Sequence, residues 1–362
     1  MQSLTKGDPG MKRNDYKQDK KRKRRKKVAL WIGVPILAVI VGSVTYGAYL
    51  YNEAKEIAQA SFQEVPSRSS NSEEDKPKRE DPENTSVLFI GVDDSESRDR
   101  QGNALSDALM LATFNQEEKS VKLVSIPRDS YVNLPGEGFS TKITEAHAYG
   151  GTDLTIQTVE ELLDIPIDYY VKMNFEAFMD TVDAFDGVEV NVPYEMYEQD
   201  SNDTANAIHL LPGEQLLNGE EALAYVRTRK MDNDIERGKR QQEVLTALLD
   251  RATSFSSLTK YRDAMQAVGD NMTTNMRWDD MTSYFSYAME GANLDIERTT
   301  LEGSDWWMDF ASGGRAYYWK LDEVALEEIQ NQLQTHLGLT AQNDSGQYAS
   351  PRTDDQSEDS RG

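Results

Sequence analysis

Apolar and polar positions alternate with two different periods between residues 85 and 340, and the switch between them predicts the elements. Short, nearly continuous apolar runs, Ser86-Val-Leu-Phe-Ile-Gly-Val92, Ala108-Leu-Met-Leu-Ala-Thr-Phe114 and Val121-Lys-Leu-Val-Ser-Ile126, have the length and composition of strands buried on both faces. Tyr169–Met173 and Val188–Val192 read as two more strands, the latter after a turn at Asp186-Gly187. Helical spacing covers Leu154–Leu163, with Thr152 or Asp153 as N-cap, and Phe175–Phe185. It returns in a helix continuing through Val244, Leu245, Leu248 and Leu249, then in Asp263–Val268, Trp278–Met289 and Leu321–Leu337. The alternation predicts one α/β domain, a central mixed sheet with helices on both faces.

One apolar stretch follows neither period. Val28–Tyr51 contains no charged residue, and 24 residues at about 1.5 Å each reach roughly 36 Å, enough to cross a hydrocarbon core of about 30 Å. It is too long for a cleaved signal peptide and lacks a small-residue cleavage site, so it predicts a signal anchor. Residues 1–27 hold twelve Lys/Arg against three Asp and end in the run Lys20–Lys27. This segment therefore carries +9, leaving −33 for the rest of a chain whose net charge is −24. A basic flank on the N-terminal side alone places residues 1–27 in the cytoplasm and everything after Tyr51 outside, a single-pass type II arrangement. Anionic lipid headgroups account for the basic run, so membrane lipid is expected as its partner and nucleic acid is not. Residues 52–84 read as an extracellular spacer, 85–340 as the folded domain and 341–362 as a disordered acidic tail.

Composition removes much of the usual catalytic machinery. The chain has no cysteine and only three scattered histidines, His147, His209 and His336, which excludes thiolate sites and disfavours zinc. Neither a Gly-x-Ser-x-Gly elbow nor a Walker-type phosphate loop is present. Against the acidic background, residues 227–240 gather Arg227, Arg229, Lys230, Arg237, Lys239 and Arg240. If Ala-Tyr-Val-Arg-Thr-Arg is extended, Arg227 and Arg229 leave one face of a strand, while Arg237, Arg240 and Gln241 share a helix face. Planar five-donor guanidiniums in that arrangement cradle phosphate oxygens. An alternative stays open here, a surface ion-pair network with Asp232, Asp234 and Glu236.

Two further clusters sit just past predicted strand ends, where α/β domains place chemistry. Asp93-Asp94-Ser95-Glu96 follows the first strand, Ser106-Asp107 precedes the second, and Pro127-Arg128-Asp129 follows the third. Carboxylates without histidine or cysteine suit Mg²⁺ or Mn²⁺, and acid plus arginine is the composition of a phosphoryl-transfer site. Each also has a bland reading, as a polar turn, a cap or an Arg128–Asp129 salt bridge. Trp306-Trp307 and Tyr317-Tyr-Trp319 read as strand packing or as a surface for stacking on a sugar.

Taken in order, these pieces resemble the LytR-CpsA-Psr family of membrane-anchored cell-wall transferases. The matching segments are Val87–Asp93, Ser106-Asp107, Val124–Asp129, Lys142-Ile-Thr with Ala148-Tyr-Gly-Gly151, Ile165–Val171, Val182–Val188, Leu217–Arg229 and Arg237–Gln241, over roughly residues 85–250. Residues 254–337 are similar to the teichoic acid transferase branch. The resemblance implies an α/β/α fold enclosing an apolar tunnel for a polyprenyl chain. It also implies transfer of a glycopolymer from polyprenyl pyrophosphate to peptidoglycan through a phosphodiester. Non-catalytic binding of the lipid-linked glycan by an envelope regulator, or pyrophosphatase activity, are the alternative readings. Carried over by position, Arg128, Arg227, Arg237 and Gln241 match pyrophosphate-binding residues, with Arg229 and Arg240 in the same cluster. Asp93 and Asp107 match the acidic residues near Mg²⁺ and, with Arg128, the catalytic positions. Two positions depart from the family pattern. Leu105 and Ser95 stand where many members have arginine, and Arg98 and Arg100 are the residues that would restore the charge.

Overall fold

The computed structural model describes residues 49, 51–53, 55–56, 58–65, 84–93, 104–228, 234–254, 271–277, 280–281, 295–310 and 313–339. The chain divides into two compact units, Met1–Glu56 and Ile57–Gly362. In the first, the described residues are helical. The expected membrane span lies outside the described residues except at Tyr49 and Tyr51, and among described residues no helix is long and apolar enough to cross a membrane. The expected helix Asp263–Val268, nearly all of Trp278–Met289 and the 341–362 tail also lie outside them.

In the second unit a six-stranded sheet runs in the order β11-β6-β1-β2-β3-β12. Its first three strands, β1 (Thr85–Val92), β2 (Ser106–Asn115) and β3 (Ser120–Ile126), are an antiparallel meander built from the three apolar runs. β6 (Tyr169–Met173) adds parallel to β1, and β12 (Asp295–Thr300) adds parallel to β3. β11 (Met272–Thr274) closes the far edge antiparallel to β6. Residues 58–65, read as spacer, pack on this edge instead: Phe62 bridges Thr274, the Tyr170 hydroxyl donates to the Gln63 carbonyl, and Ala58 and Val65 are buried.

Register decides which residues share a face. Leu88 and Ile90 face the same way as Leu111, Leu109, Val124 and Ile126, and α1 (Glu145–Leu163) covers them with Ile156, Val159 and Leu163. α5 (Glu323–His336) completes that layer through Leu333. α1 starts earlier than the pattern predicts, because an extra turn before Gly150 and Gly151 is joined to it across a kink where Gly151 adopts φ 63°. On the opposite face Ala112, Val121 and Leu123 are buried, while Phe89, Phe114 and Ile296 are only half covered. α4 (Asp234–Ser254) lies over this face, with Leu245 packed on it. Fully burying such side chains contributes about 1.5–3 kcal/mol each.

Beside the sheet, α2 (Phe175–Ala184) and α3 (Gly219–Arg227) pack with the antiparallel pair of β7 (Val188–Val192) and β10 (Gly213–Leu217) around a smaller core that includes Val190, Leu217 and Tyr225. Three short antiparallel pairs complete the described architecture. They are β4 (Tyr131–Asn133) with β5 (Ser140–Lys142), β8 (Met196–Glu198) with β9 (Ile208–Leu210), and β13 (Gly303–Asp309) with β14 (Arg315–Leu321).

Candidate anion-binding site

Because β1, β3, β6 and β12 are parallel, their carboxyl ends share one edge of the sheet. Every described candidate residue maps to that edge. Asp93 follows β1 and is 1% exposed. Gly91 pairs with Ala108 but Val92 pairs with Ser106, so Asp107 is the extra residue of a β-bulge, a device that re-aims a side chain. Arg128 follows β3, and its guanidinium is ion-paired with Asp107. Its contact with Asp129 is looser at 4.0 Å, and Asp129 instead takes Lys142 Nζ at 2.8 Å, so the bland alternative of a local Arg128–Asp129 bridge is not the main pair.

Thr144 fixes this corner. Its hydroxyl donates to the Ser106 carbonyl at 2.8 Å, its own carbonyl accepts from Ser106 N, and its N–H donates to the Arg128 carbonyl at 3.1 Å. One threonine therefore ties the strand starting at Ser106 to the loop carrying Arg128. Its hydroxyl is committed there and makes no cap bond to α1. His147, half-buried near the start of α1, has Nδ1 2.9 Å from the Ala104 carbonyl.

The second half of the site differs from its expected form. Ala-Tyr-Val-Arg is helical, the last turn of α3, with Thr228 extended after it. The physical reason is a capping box, in which Asn218 accepts from Glu221 N and Glu221 accepts from Asn218 N, combined with burial of Ala222, Leu223, Ala224 and Tyr225. Arg227 then projects from the helix end over the Phe175 ring, 4.7 Å from its centroid, just past the carboxyl end of β6. Asp203 lies 3.7 Å from its Nη2. Arg229 lies outside the described residues, as do Ser95, Arg98 and Arg100. Leu105 is half-buried beside Ser106 and brings no charge to the edge.

α4 begins over the ends of β3 and β12. A Cβ on Gly238 would lie 2.6 Å from Ser125 Oγ, so glycine permits this close approach, and Gln242 Nε2 donates to the Thr299 carbonyl at 2.5 Å. Arg237 is 5% exposed in the first turns of α4, and Gln241 is one turn on, half-buried. Arg240 is the correction within the cluster. Its Nε donates to the Tyr225 carbonyl at 2.9 Å and its Nη2 to the Thr228 carbonyl at 2.7 Å, so these donors satisfy the carbonyl end of α3 and hold the two helices together. Of the alternative ion-pair network, Glu236 pairs with Lys239 at 2.7 Å, and Asp232 lies outside the described residues.

Two buried donors decide the chemistry of the edge. Arg128 Nε and Arg227 Nη1 are inaccessible to solvent and make no hydrogen bond. Leaving such a guanidinium nitrogen unpaired costs about 1–3 kcal/mol or more, and an anion supplies the missing acceptors. The α4 N-terminus adds a positive dipole end. The donor set fits a diphosphate. It also fits a magnesium or manganese ion that takes one or two carboxylates and completes its shell with substrate phosphates, with Asp93 and Asp107 as those carboxylates. Among the described residues no group of three or more metal-ligating side chains is found.

The model of the LytR_cpsA_psr family matches residues 44–335. The chain belongs to the LytR-CpsA-Psr family. Among curated LytR-CpsA-Psr relatives, the Bacillus subtilis (strain 168) polyisoprenyl-teichoic acid–peptidoglycan teichoic acid transferase TagT is 40% identical over 335 residues, covering 89% of this chain and 99% of its own. The crystal structure of B. subtilis TagV superposes with a TM-score of 0.62 at 35% identity, over 71% of this chain and 98% of that one. A structure of TagT (YwtF) with bound octaprenyl pyrophosphate lipid superposes with a TM-score of 0.57 at 39% identity, over 73% and 95%. The mixed sheet with helices on both faces is thus the LytR-CpsA-Psr fold.

Proposed function

We propose that this protein transfers a teichoic-acid-like or capsular glycopolymer from a polyprenyl pyrophosphate carrier to peptidoglycan, forming a phosphodiester and releasing polyprenyl phosphate. The observation that carries this reading is the pair of buried, unsatisfied guanidinium donors on Arg128 and Arg227 at the carboxyl edge of the sheet. The name of TagT, its octaprenyl pyrophosphate-bound structure and the shared fold support the same assignment.

The sheet face bearing Phe89, Phe114 and Ile296 is half covered, and its apolar side chains supply a wall for the polyprenyl chain leading to that edge. Arg128, Arg227 and Arg237 hold the pyrophosphate oxygens, with Gln241 at the rim. Asp107 fixes Arg128 through their ion pair. Mg²⁺ or Mn²⁺, when bound by Asp93 and Asp107, supplies further neutralisation of phosphate charge. An acceptor sugar hydroxyl attacks the polymer-side phosphorus in line, and the polyprenyl phosphate departs as its charge is already paired with the arginines. Asp93 or Asp107 takes the hydroxyl proton. The residue 28–51 span anchors the chain, with residues 1–27 cytoplasmic and the domain outside.

The test is incubation of the detergent-solubilised full chain with a short-chain polyprenyl-pyrophosphoryl saccharide and peptidoglycan oligomers, with and without Mg²⁺, read by mass spectrometry. A metal-dependent saccharide-phosphate adduct on the glycan is the expected result. Hydrolysis alone assigns a pyrophosphatase, and lipid binding without turnover assigns a binding module.

A further inference from the structure

The β13–β14 hairpin has two aromatic faces, and only one is accounted for by packing. Trp306 and Tyr318 are directly paired, and both meet Tyr131 of β4 edge-on, with centroids 5.0 and 5.1 Å away. That face is the hairpin's attachment. The other face carries three successive pairs, Asp305 with Trp319, Trp307 with Tyr317 and Asp309 with Arg315. Trp307 is 49% exposed, a large share for an indole. It is nevertheless held in place, with the Arg315 guanidinium 4.9 Å from its ring centroid and Tyr317 edge-on at 5.3 Å. Asp305 accepts from the Tyr317 hydroxyl at 2.9 Å.

The hairpin adjoins the phosphate edge. Trp319 N donates to the Asp129 carbonyl at 2.8 Å, one residue past Arg128, and Lys142, 2.8 Å from Asp129, lies at the rim between the two faces, 5.9 Å from the Tyr317 centroid and 5.8 Å from that of Tyr318. Immobilised aromatic rings flanked by carboxylates and a guanidinium have what a sugar ring needs, an apolar surface for its C–H face and acceptors and donors for its hydroxyls. Charge selects between the two polymers of the reaction. On the platform Asp305 and Asp309 are balanced by Arg315, which lies 3.6 Å from Asp309, and by the adjoining Lys142, so it offers no cationic field for a polyphosphate such as the donor polymer and suits a neutral glycan.

We propose that the Trp307–Tyr317 face binds the acceptor, a strand of N-acetylated amino sugars, and leads its hydroxyl to the edge where Arg128 holds the phosphate. This rests on the transferase reading for the identity of the acceptor. The test is calorimetric titration of the full chain in detergent with the tetrasaccharide of N-acetylglucosamine, with a glycerol phosphate oligomer as the anionic competitor and farnesyl pyrophosphate as the phosphate-site probe. Trp307→Ala is expected to weaken tetrasaccharide binding about tenfold and Trp307→Phe to restore most of it, with farnesyl pyrophosphate affinity unchanged in both. Wild-type tetrasaccharide affinity in Trp307→Ala overturns the proposal. So does absence of tetrasaccharide binding in the parent protein, or preference for the glycerol phosphate oligomer. Full farnesyl pyrophosphate affinity in Arg128→Ala would instead sink the transferase reading, and the tetrasaccharide titration would still decide the platform.

Discussion

The two ends of the central sheet bury polar groups in opposite ways. At the end remote from the strand carboxyl edge, His336 is 3% exposed, with Nδ1 2.8 Å from Thr113 Oγ1 and Nε2 2.9 Å from Ser120 Oγ. Its carbonyl accepts from Asn84 and Asn115 side chains at 3.2 and 3.0 Å. Both ring nitrogens are matched inside the protein. At the carboxyl edge the Arg128 and Arg227 guanidiniums are held by Asp107 and Phe175, yet each keeps a buried nitrogen without an acceptor. A buried network that closes on itself stabilises the fold, whereas one left open is poised for a ligand. A cavity of about 580 Å³ beside His336, lined by Glu118, Lys122, Glu327 and Glu328 among others, does not alter this contrast, since its histidine is already matched.

The contrast predicts a double dissociation. Arg128→Met should reduce polymer transfer by roughly a hundredfold to a thousandfold, the usual consequence of losing a preorganised donor at developing charge, while the melting temperature moves little. His336→Ala should do the reverse. Deleting the ring leaves the buried Thr113 hydroxyl without the imidazole around a cavity, while Ser120 keeps Glu118, and should cost about 3 kcal/mol in denaturant unfolding, with transfer by the folded fraction intact. If His336→Ala lowered turnover per folded molecule, or Arg128→Met unfolded the domain, the division of labour between the ends would be wrong. A smaller effect is expected at Thr144, which belongs to the open end but whose hydroxyl is committed to the Ser106 carbonyl. Thr144→Val should cost about 1–2 kcal/mol of stability and lower kcat several-fold without raising KM for the lipid, and Thr144→Ser should restore both. A rise in KM alone would place Thr144 in binding rather than in positioning.

How legible these features were in the chain depended on whether their cause was local. The apolar runs of β1, β2 and β3 could only be buried strands, so the sheet's middle and the ends carrying Asp93 and Arg128 followed directly. The alternating arginines of Ala-Tyr-Val-Arg-Thr-Arg leave an extended form open, and the signal that decides for helix lies upstream in the Asn218–Glu221 capping box. The bulge that singles out Asp107 depends on how two strands register, which no local pattern encodes. Arg240 looked like Arg237 until α3 docked and its carbonyl end claimed two of the guanidinium's donors. Phe175 under Arg227 and the Thr144 staple are products of tertiary contact, although Lys142-Ile-Thr was visible as a motif.

The smallest effect tests the closed end by titration. Burial, reinforced by nearby Lys122, holds the His336 pKa below the ordinary value of 6.5. Glu118 and Glu297 oppose that shift without reversing it, and Lys122 is itself paired with Glu297. In the window between the lowered folded value and 6.5 the unfolded chain binds the extra proton, so stability must fall as pH falls through that window. Above it both states carry neutral imidazole and the contribution is complete. Unfolding free energy measured from pH 8 down to pH 5 should therefore decline below about 6.5 in the parent protein, and His336→Gln should flatten that part of the slope. Acidic groups elsewhere titrate in both proteins alike, so the difference between the two curves isolates the imidazole. Parallel curves would mean that His336 accommodates its proton in the folded state, and the network around Thr113 and Ser120 would then be open rather than closed.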